Sequence, residues 1–253
     1  MRVIITGAAG RIGSQIVDEL SLSHELLLID RRSIKGRDCL VTDLSCQPPK
    51  DRIVRWLSSK SRRWSDAFAG VQAVVHLAAD IRPTAPWDKV LADNIRGTWN
   101  VIEAAASSGI PRVIFASSNW AVKALESKMA PDCYRASGPK IGSDTSPAPL
   151  GAYGLPKATG ELIGRMFVDE GRLKSFIAVR IGRFSLKAPE DESLRTLWIG
   201  GEDIRSLFRC CVEAEFEGFH VVYGVSGLKT VPYDLSHTRE LLSWSPREVL
   251  NHG

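Results

Sequence analysis

The sequence predicts an α/β protein built on a doubly wound, largely parallel sheet. Short continuous apolar runs, such as Val3-Ile4-Ile5, Leu26-Leu27-Leu28-Ile29 and Val113-Ile114-Phe115, recur along the chain. Runs of this kind mark strands covered on both faces. Stretches of helical length and pattern alternate with them. A glycine-rich turn joins the first strand to the first helix.

Taken in order, residues 2–6 read as a buried strand and Arg11 to Leu20 as a helix. Leu26 to Asp30 is a second strand ending in an acid, and Cys39-Leu40-Val41 a short third. Ala73 to Leu77 is a strand, followed by a long helix from Trp87 to about Ser108. Val113 to Ser117 is the next strand. The Pro-, Gly- and Ser-rich stretch from Glu126 to Leu150 reads as a loop beside the active site. A helix begins near Ala152, with Phe176 to Arg180 as a strand after it. The remaining residues hold a helix from Glu202 to Ala214, a strand from His220 to Tyr223 and a short terminal helix, expected to cap the substrate side. A single domain over 1–253 is expected, with 1–175 mainly for dinucleotide binding and 176–253 mainly on the substrate side.

The chain has 253 residues, 44% hydrophobic and 25% charged, which is ordinary for a globular protein. Its net charge of +4 is spread in short clusters such as Arg31-Arg32 and Lys60-Ser61-Arg62-Arg63. No basic stripe with a nucleic-acid motif accompanies them, so no nucleic-acid partner is expected. No apolar run reaches transmembrane length. The chain enters its first strand directly, without a signal peptide, so a cytoplasmic protein is expected. Five cysteines show no metal spacing and no C-x-x-C pair. Reduced structural thiols fit that compartment, and no metal is expected.

Gly7-Ala8-Ala9-Gly10-Arg11-Ile12-Gly13 has the form G-x-x-G-x-x-G between a strand and a helix. Absent side chains let backbone approach a pyrophosphate, and the helix start offers free N–H groups and partial positive charge. Asp30 ends the second strand, where a carboxylate accepts from adenosine ribose hydroxyls and repels a 2′-phosphate. This favours NAD. Arg31 and Arg32 follow at once, and arginine there can hold that phosphate, so NADP stays open. The turn is predicted to bind a dinucleotide in a Rossmann-type fold.

The sequence resembles the extended short-chain dehydrogenases of the NAD-dependent epimerase/dehydratase family. The likeness rests on the glycine turn, Asp43-Leu44, His76-Leu77-Ala78-Ala79, Asn94, Ala116-Ser117-Ser118 and Tyr153-x-x-x-Lys157, in the family's order. The resemblance implies cofactor contacts from Gly7, Gly10, Arg11, Ile12, Gly13, Asp30, Arg31, Asp43, Leu44, Leu77, Ala78, Ala79, Asn94, Tyr153, Lys157 and Ile181. It implies catalytic roles for Ser118, Tyr153 and Lys157. It also implies a homodimer through paired long helices, with Val90, Leu91, Ile95, Val101 and Ile102 on the apolar face. A narrower likeness to uronate dehydrogenases and similar sugar dehydrogenases rests on Phe115 to Asn119, Arg180-Ile181-Gly182, the stretch through Trp198, and Val222 to Ser226.

Tyr153 and Lys157 are four apart, so on a helix they share a face. Free tyrosine, with a pKa of ~10, is a poor base at neutral pH. A neighbouring ammonium and a cationic nicotinamide favour its phenolate, which then takes a hydroxyl proton as hydride leaves. Pro156 between them is tolerated in a first helical turn, placing Tyr153 at the helix start. Ser117 and Ser118 end a strand upstream, where a serine hydroxyl can donate to the reacting oxygen, and the family resemblance implies Ser118 for that role.

Ser117, Ser118, Asn119, Trp120, Arg82 and Arg183 are the candidate substrate contacts. Trp120 stands where uronate dehydrogenases usually have His, and Arg183 and Arg82 where Ser is usual. Either Arg195 or Ser193 takes the register of their carboxylate-binding Arg. Arg82, Arg183 and Arg195 fall on segments that the resemblance implies line the cleft, and together they predict that the sugar-like substrate implied by the resemblance is anionic. His76 reads as structural, and Arg180 as the partner of a core carboxylate. The tryptophans, Trp56 among them, read mostly as core or loop anchors.

Overall fold

A computed structural model describes residues 1–46, 64–82, 84–226 and 230–247. Trp56 and the Lys60–Arg63 cluster lie outside them. The elements are β1 (Arg2–Thr6), α1 (Arg11–Leu20), β2 (Glu25–Asp30), β3 (Cys39–Val41) and β4 (Ala73–His76). A long helix follows in three parts: α2 (Trp87–Val90), a π-helical segment (Leu91–Arg96) and α3 (Gly97–Ser107). Then come β5 (Arg112–Ser118), α4 (Lys123–Met129), α5 (Gly151–Asp169), β6 (Ser175–Ile181) and β7 (Arg183–Phe184). The chain goes on through α6 (Glu192–Arg195), β8 (Trp198–Ile199), α7 (Gly201–Glu213), β9 (Gly218–Gly224) and α8 (Ser236–Leu242).

Seven strands form one sheet in the order β3-β2-β1-β4-β5-β6-β9, every neighbouring pair parallel. The order reverses between β1 and β4, and the crevice outside the strand ends at such a switch is where doubly wound sheets bind ligands. Alternation along each strand divides the core into two layers. Val3, Ile5 and Val75 face α1 and α7, whereas Ile4 and Val74 face the layer containing Val101, Ile102 and Phe167.

The C-terminal residues do more than cap the substrate side. β9 extends the sheet beyond β6, and α7 packs on α1. The small two-stranded sheet of β7 and β8 lies outside the main sheet.

The helix carrying Tyr153 and Lys157 lies unusually close to the sheet. A Cβ added at Gly160 would fall 2.4 Å from the Phe115 ring, and one at Gly164 2.3 Å from the Phe176 ring. Only glycine admits this approach. The helix starts at Gly151, so Pro156 sits in its second turn rather than its first. The proline leaves the Ala152 carbonyl without its usual i→i−4 donor. The expected 126–150 loop is helical at its start, since α4 runs to Met129.

Candidate active site

Most of the expected cofactor and substrate residues meet around one cleft of about 1460 Å³ at the carboxyl ends of the strands; Asp43, Asn94 and Asn119 do not line it. Gly7, Gly10, Arg11, Ile12, Gly13, Asp30 and Arg31 line one end. Leu44, Leu77, Ala78, Ala79 and Ile181 line its walls. Ser117, Ser118, Trp120, Tyr153, Lys157, Arg82 and Arg183 line the remainder.

The glycine turn is shaped by what its Cβ atoms would strike. Gly7 has φ +71°, and a Cβ there would lie 2.7 Å from the Ala78 nitrogen. A Cβ on Gly13 would lie 2.3 Å from the Gly7 carbonyl oxygen. The start of α1 carries no side-chain cap and no acid in its first turn. Its N–H groups and dipole are therefore left for an anionic ligand, and the residues present fit a pyrophosphate. Asp30 is anchored at both oxygens: Oδ2 accepts from Ala9 N at 3.0 Å and Oδ1 from Arg32 N at 2.9 Å. Arg11 ties this end to the substrate side, donating to the Phe184 carbonyl at 2.9 Å.

Arg31 is half-exposed but engaged by two carboxylates. It bonds Asp43 at 2.7 Å and forks onto Asp93 at 2.7 and 2.5 Å. Asp43 is further held by the Ser45 backbone and hydroxyl.

Asn94 is buried in the π-helical segment and does not line the cleft. Its amide accepts from Asp80 N at 2.6 Å and donates to the Asp80 carbonyl at 2.8 Å. Asn94 thus clamps the loop after β4, which carries Leu77, Ala78 and Ala79 along the cleft wall. His76 is buried, bonded to Thr6 at 2.7 Å and Thr98 at 3.1 Å. Burial lowers its pKa to about 3, leaving a neutral structural imidazole.

At the reacting end, Lys157 is buried and donates from Nζ to the Ala116 carbonyl at 2.7 Å. Burial lowers its pKa to about 8. Burial raises Tyr153, and a hydrogen bond with Ser118 pulls it partly back down. Ser118 also donates to Asn119 Oδ1 at 3.2 Å and accepts from Trp120 N at 3.3 Å. Trp120 stands edge-on to Tyr153, the ring centroids 6.3 Å apart.

Two expected substrate contacts turn away from the substrate space. Ser117 Oγ donates to Glu161 at 2.5 Å, inside a buried network with Arg180. Asn119 is buried behind the wall and hydrogen-bonded to Tyr233. A strand-end side chain faces the cleft or the core by alternation, and Ser118 takes the cleft.

The three arginines differ in availability. Arg82 is forked onto Asp80 at 2.5–3.1 Å, which cancels its charge locally. Arg195 donates to the Pro189 carbonyl at 2.6 Å. Arg183 is exposed on the cleft wall, and among the described residues its side chain has no hydrogen-bond or ion-pair partner. The Ser193 side chain lies outside what the structure describes. Sequence reasoning missed Asp80, Asp93 and Glu161. The expected carboxylate partner of Arg180 is Glu161, at 2.8 Å.

Residues 3–193 match the model of the NAD dependent epimerase/dehydratase family. The chain belongs to this family. It is 34% identical to the NAD-dependent glucose-6-phosphate dehydrogenase of Haloferax volcanii, over 97% of this chain and 93% of that one. It is 30% identical to the L-arabinose 1-dehydrogenase (NAD(P)(+)) of the same organism, over 98% and 96%. Among solved structures, a uronate dehydrogenase mutant from Agrobacterium tumefaciens complexed with NAD superposes with a TM-score of 0.76 at 28% identity. That alignment covers 98% of this chain and 84% of the other. The family's parallel α/β fold is the one described above.

Proposed function

We propose that this chain is an NAD-dependent dehydrogenase that oxidises a hydroxyl or hemiacetal carbon of an anionic, sugar-like molecule. The observation that carries the reading is that Ser118, Tyr153 and Lys157 line the same cleft as the glycine turn and Asp30. NAD, when bound, supplies the hydride acceptor. Gly7, Gly10 and Gly13 admit its pyrophosphate to the start of α1, and Asp30 takes the adenosine ribose. Ser118 orients the substrate oxygen, and the Tyr153 oxygen takes its proton. Lys157, placed by the Ala116 carbonyl, favours the phenolate.

Named relatives support a sugar substrate and differ in its charge: a sugar phosphate, a neutral pentose and a uronate. Arg183, unpartnered on the cleft wall, favours an anion here. The assay is reduction of NAD across aldoses, sugar acids and sugar phosphates. Tightly held cofactor with no net reduced NAD would instead favour an epimerase or dehydratase of the same family.

A homodimer completes the proposal. α5 packs beside the long helix, and Leu91, Trp99, Leu155 and Leu162 are exposed there. Val90, Val101 and Ile102, expected on that face, are buried in this chain's own core instead. All five cysteines are free thiols, which supports placement in the reducing cytoplasm. No described helix is long and apolar enough to cross a membrane.

A further inference from the structure

Arg31 follows Asp30 directly, at the ribose end of the cleft. A free guanidinium there would meet a phosphate on the ribose 2′-oxygen. Arg31 is not free. Nη1 donates to Asp93 Oδ2 at 2.7 Å and Nη2 to Asp93 Oδ1 at 2.5 Å, a two-point fork. Nη2 also reaches Asp43 Oδ1 at 2.7 Å. Asp93 comes from a different part of the chain, the π-helical segment, and is gripped in turn by Lys89 at 2.6 Å.

The grip is asymmetric in a way that makes it hard to break. The Asp93 side chain is only 6% exposed, whereas that of Arg31 is 42% exposed. Pulling Arg31 onto a phosphate would leave a nearly buried carboxylate with Lys89 alone, and stranding a buried charge is costly. The hydrogen bonds of Arg31 and Lys89 hold the Asp93 carboxyl down to about 2, so it is ionised throughout the working range. Arg32 offers little replacement: its Nη2 donates to the Ala9 carbonyl at 2.7 Å, and its Nε lies 3.8 Å from Asp30. A 2′-phosphate would therefore meet Asp30, Asp43 and Asp93 with the nearby cations already engaged.

We propose that Asp93 is a specificity-determining residue for the cofactor: by holding Arg31 in a two-point fork, it withholds that guanidinium from a 2′-phosphate and sets the cleft for NAD over NADP. The inference rests on the reading that this cleft binds a nicotinamide dinucleotide. It adds a residue on a distant helix to a choice usually ascribed to the end of β2.

The test is direct binding, by calorimetry, of NAD, NADP and 2′,5′-ADP to the full chain. Wild type binds NAD at least about tenfold more tightly than NADP, the scale of one charge-assisted contact. Asp93→Asn, nearly isosteric, removes the charged two-point fork, leaves Arg31 ion-paired with Asp43 alone, and tightens NADP and 2′,5′-ADP by about tenfold or more, with NAD much less affected. Adding Arg31→Ala to that variant cancels the gain. Thermal melting confirms folding, and Asp93→Ser gives the same release should the Asn variant fail to fold. An unchanged NADP-to-NAD ratio in the folded variants would overturn the inference, as would a gain that survives Arg31→Ala or a wild type that prefers NADP. A wild type that binds neither dinucleotide would overturn the cleft reading itself.

Discussion

The Lys157 ammonium is seated on the Ala116 carbonyl, 2.7 Å away, one turn of helix from Tyr153. The seat lies in a site dry enough to lower Lys157 to about 8 and to raise Tyr153. In the proposed mechanism the working pair is phenolate with ammonium, and burial opposes both charged forms. The phenolate fraction grows with pH but the ammonium is lost above about 8, so kcat/KM for oxidation should climb from about pH 6 and level off above about pH 8, while the reductive direction falls above it. Lys157→Met should cost about a hundredfold or more and push the oxidative profile to higher pH. A flat wild-type profile would count against Tyr153 as the base.

Arg180 and Glu161 form a buried pair behind the same wall, and Ser117 and Tyr223 bond to it. Breaking one partner leaves the other charge uncompensated. Glu161→Ala should lose about 3 kcal/mol or more of unfolding free energy, measured in denaturant. Replacing both residues with apolar ones of similar size should cost less than this single change. Equal costs would contradict the pairing.

Arg183 should govern affinity for an anion. Arg183→Ala is expected to raise KM for the best acidic substrate by about tenfold or more and to leave neutral sugars nearly unchanged. An unchanged KM, or a neutral sugar as the best substrate, would remove this role.

The fold and half the site were readable because their signals are local. The glycine turn, Asp30 and the Tyr153–Lys157 spacing each name their own geometry. What the sequence hid are the partners. Arg82 looks like a free cation until the loop, clamped by Asn94, turns Asp80 onto it. Arg31 looks equally free until a helical segment 62 residues later delivers Asp93. Ser117 and Ser118 are adjacent and chemically identical, and only β5's register against β6 decides which one faces the cleft. Val101 and Ile102 share an apolar pattern with Leu91, yet the sheet claims the first two. Pro156 predicts a helix start at Tyr153, but the helix begins two residues earlier, at Gly151, and takes the proline into its second turn.

Subunit association should run through that leftover face. Leu162→Asp combined with Leu91→Asp is expected to convert the dimer to a monomer by light scattering at micromolar concentration. A wild-type monomer would refute the proposed assembly.

The central claim is hydride transfer from a sugar-like substrate to NAD with Tyr153 as the base. Its most direct test is Tyr153→Phe, assayed by absorbance of reduced NAD beside calorimetric titration of NAD. The account predicts turnover reduced by at least about a thousandfold, with NAD affinity within a few-fold of wild type. Undiminished turnover in that variant would contradict it.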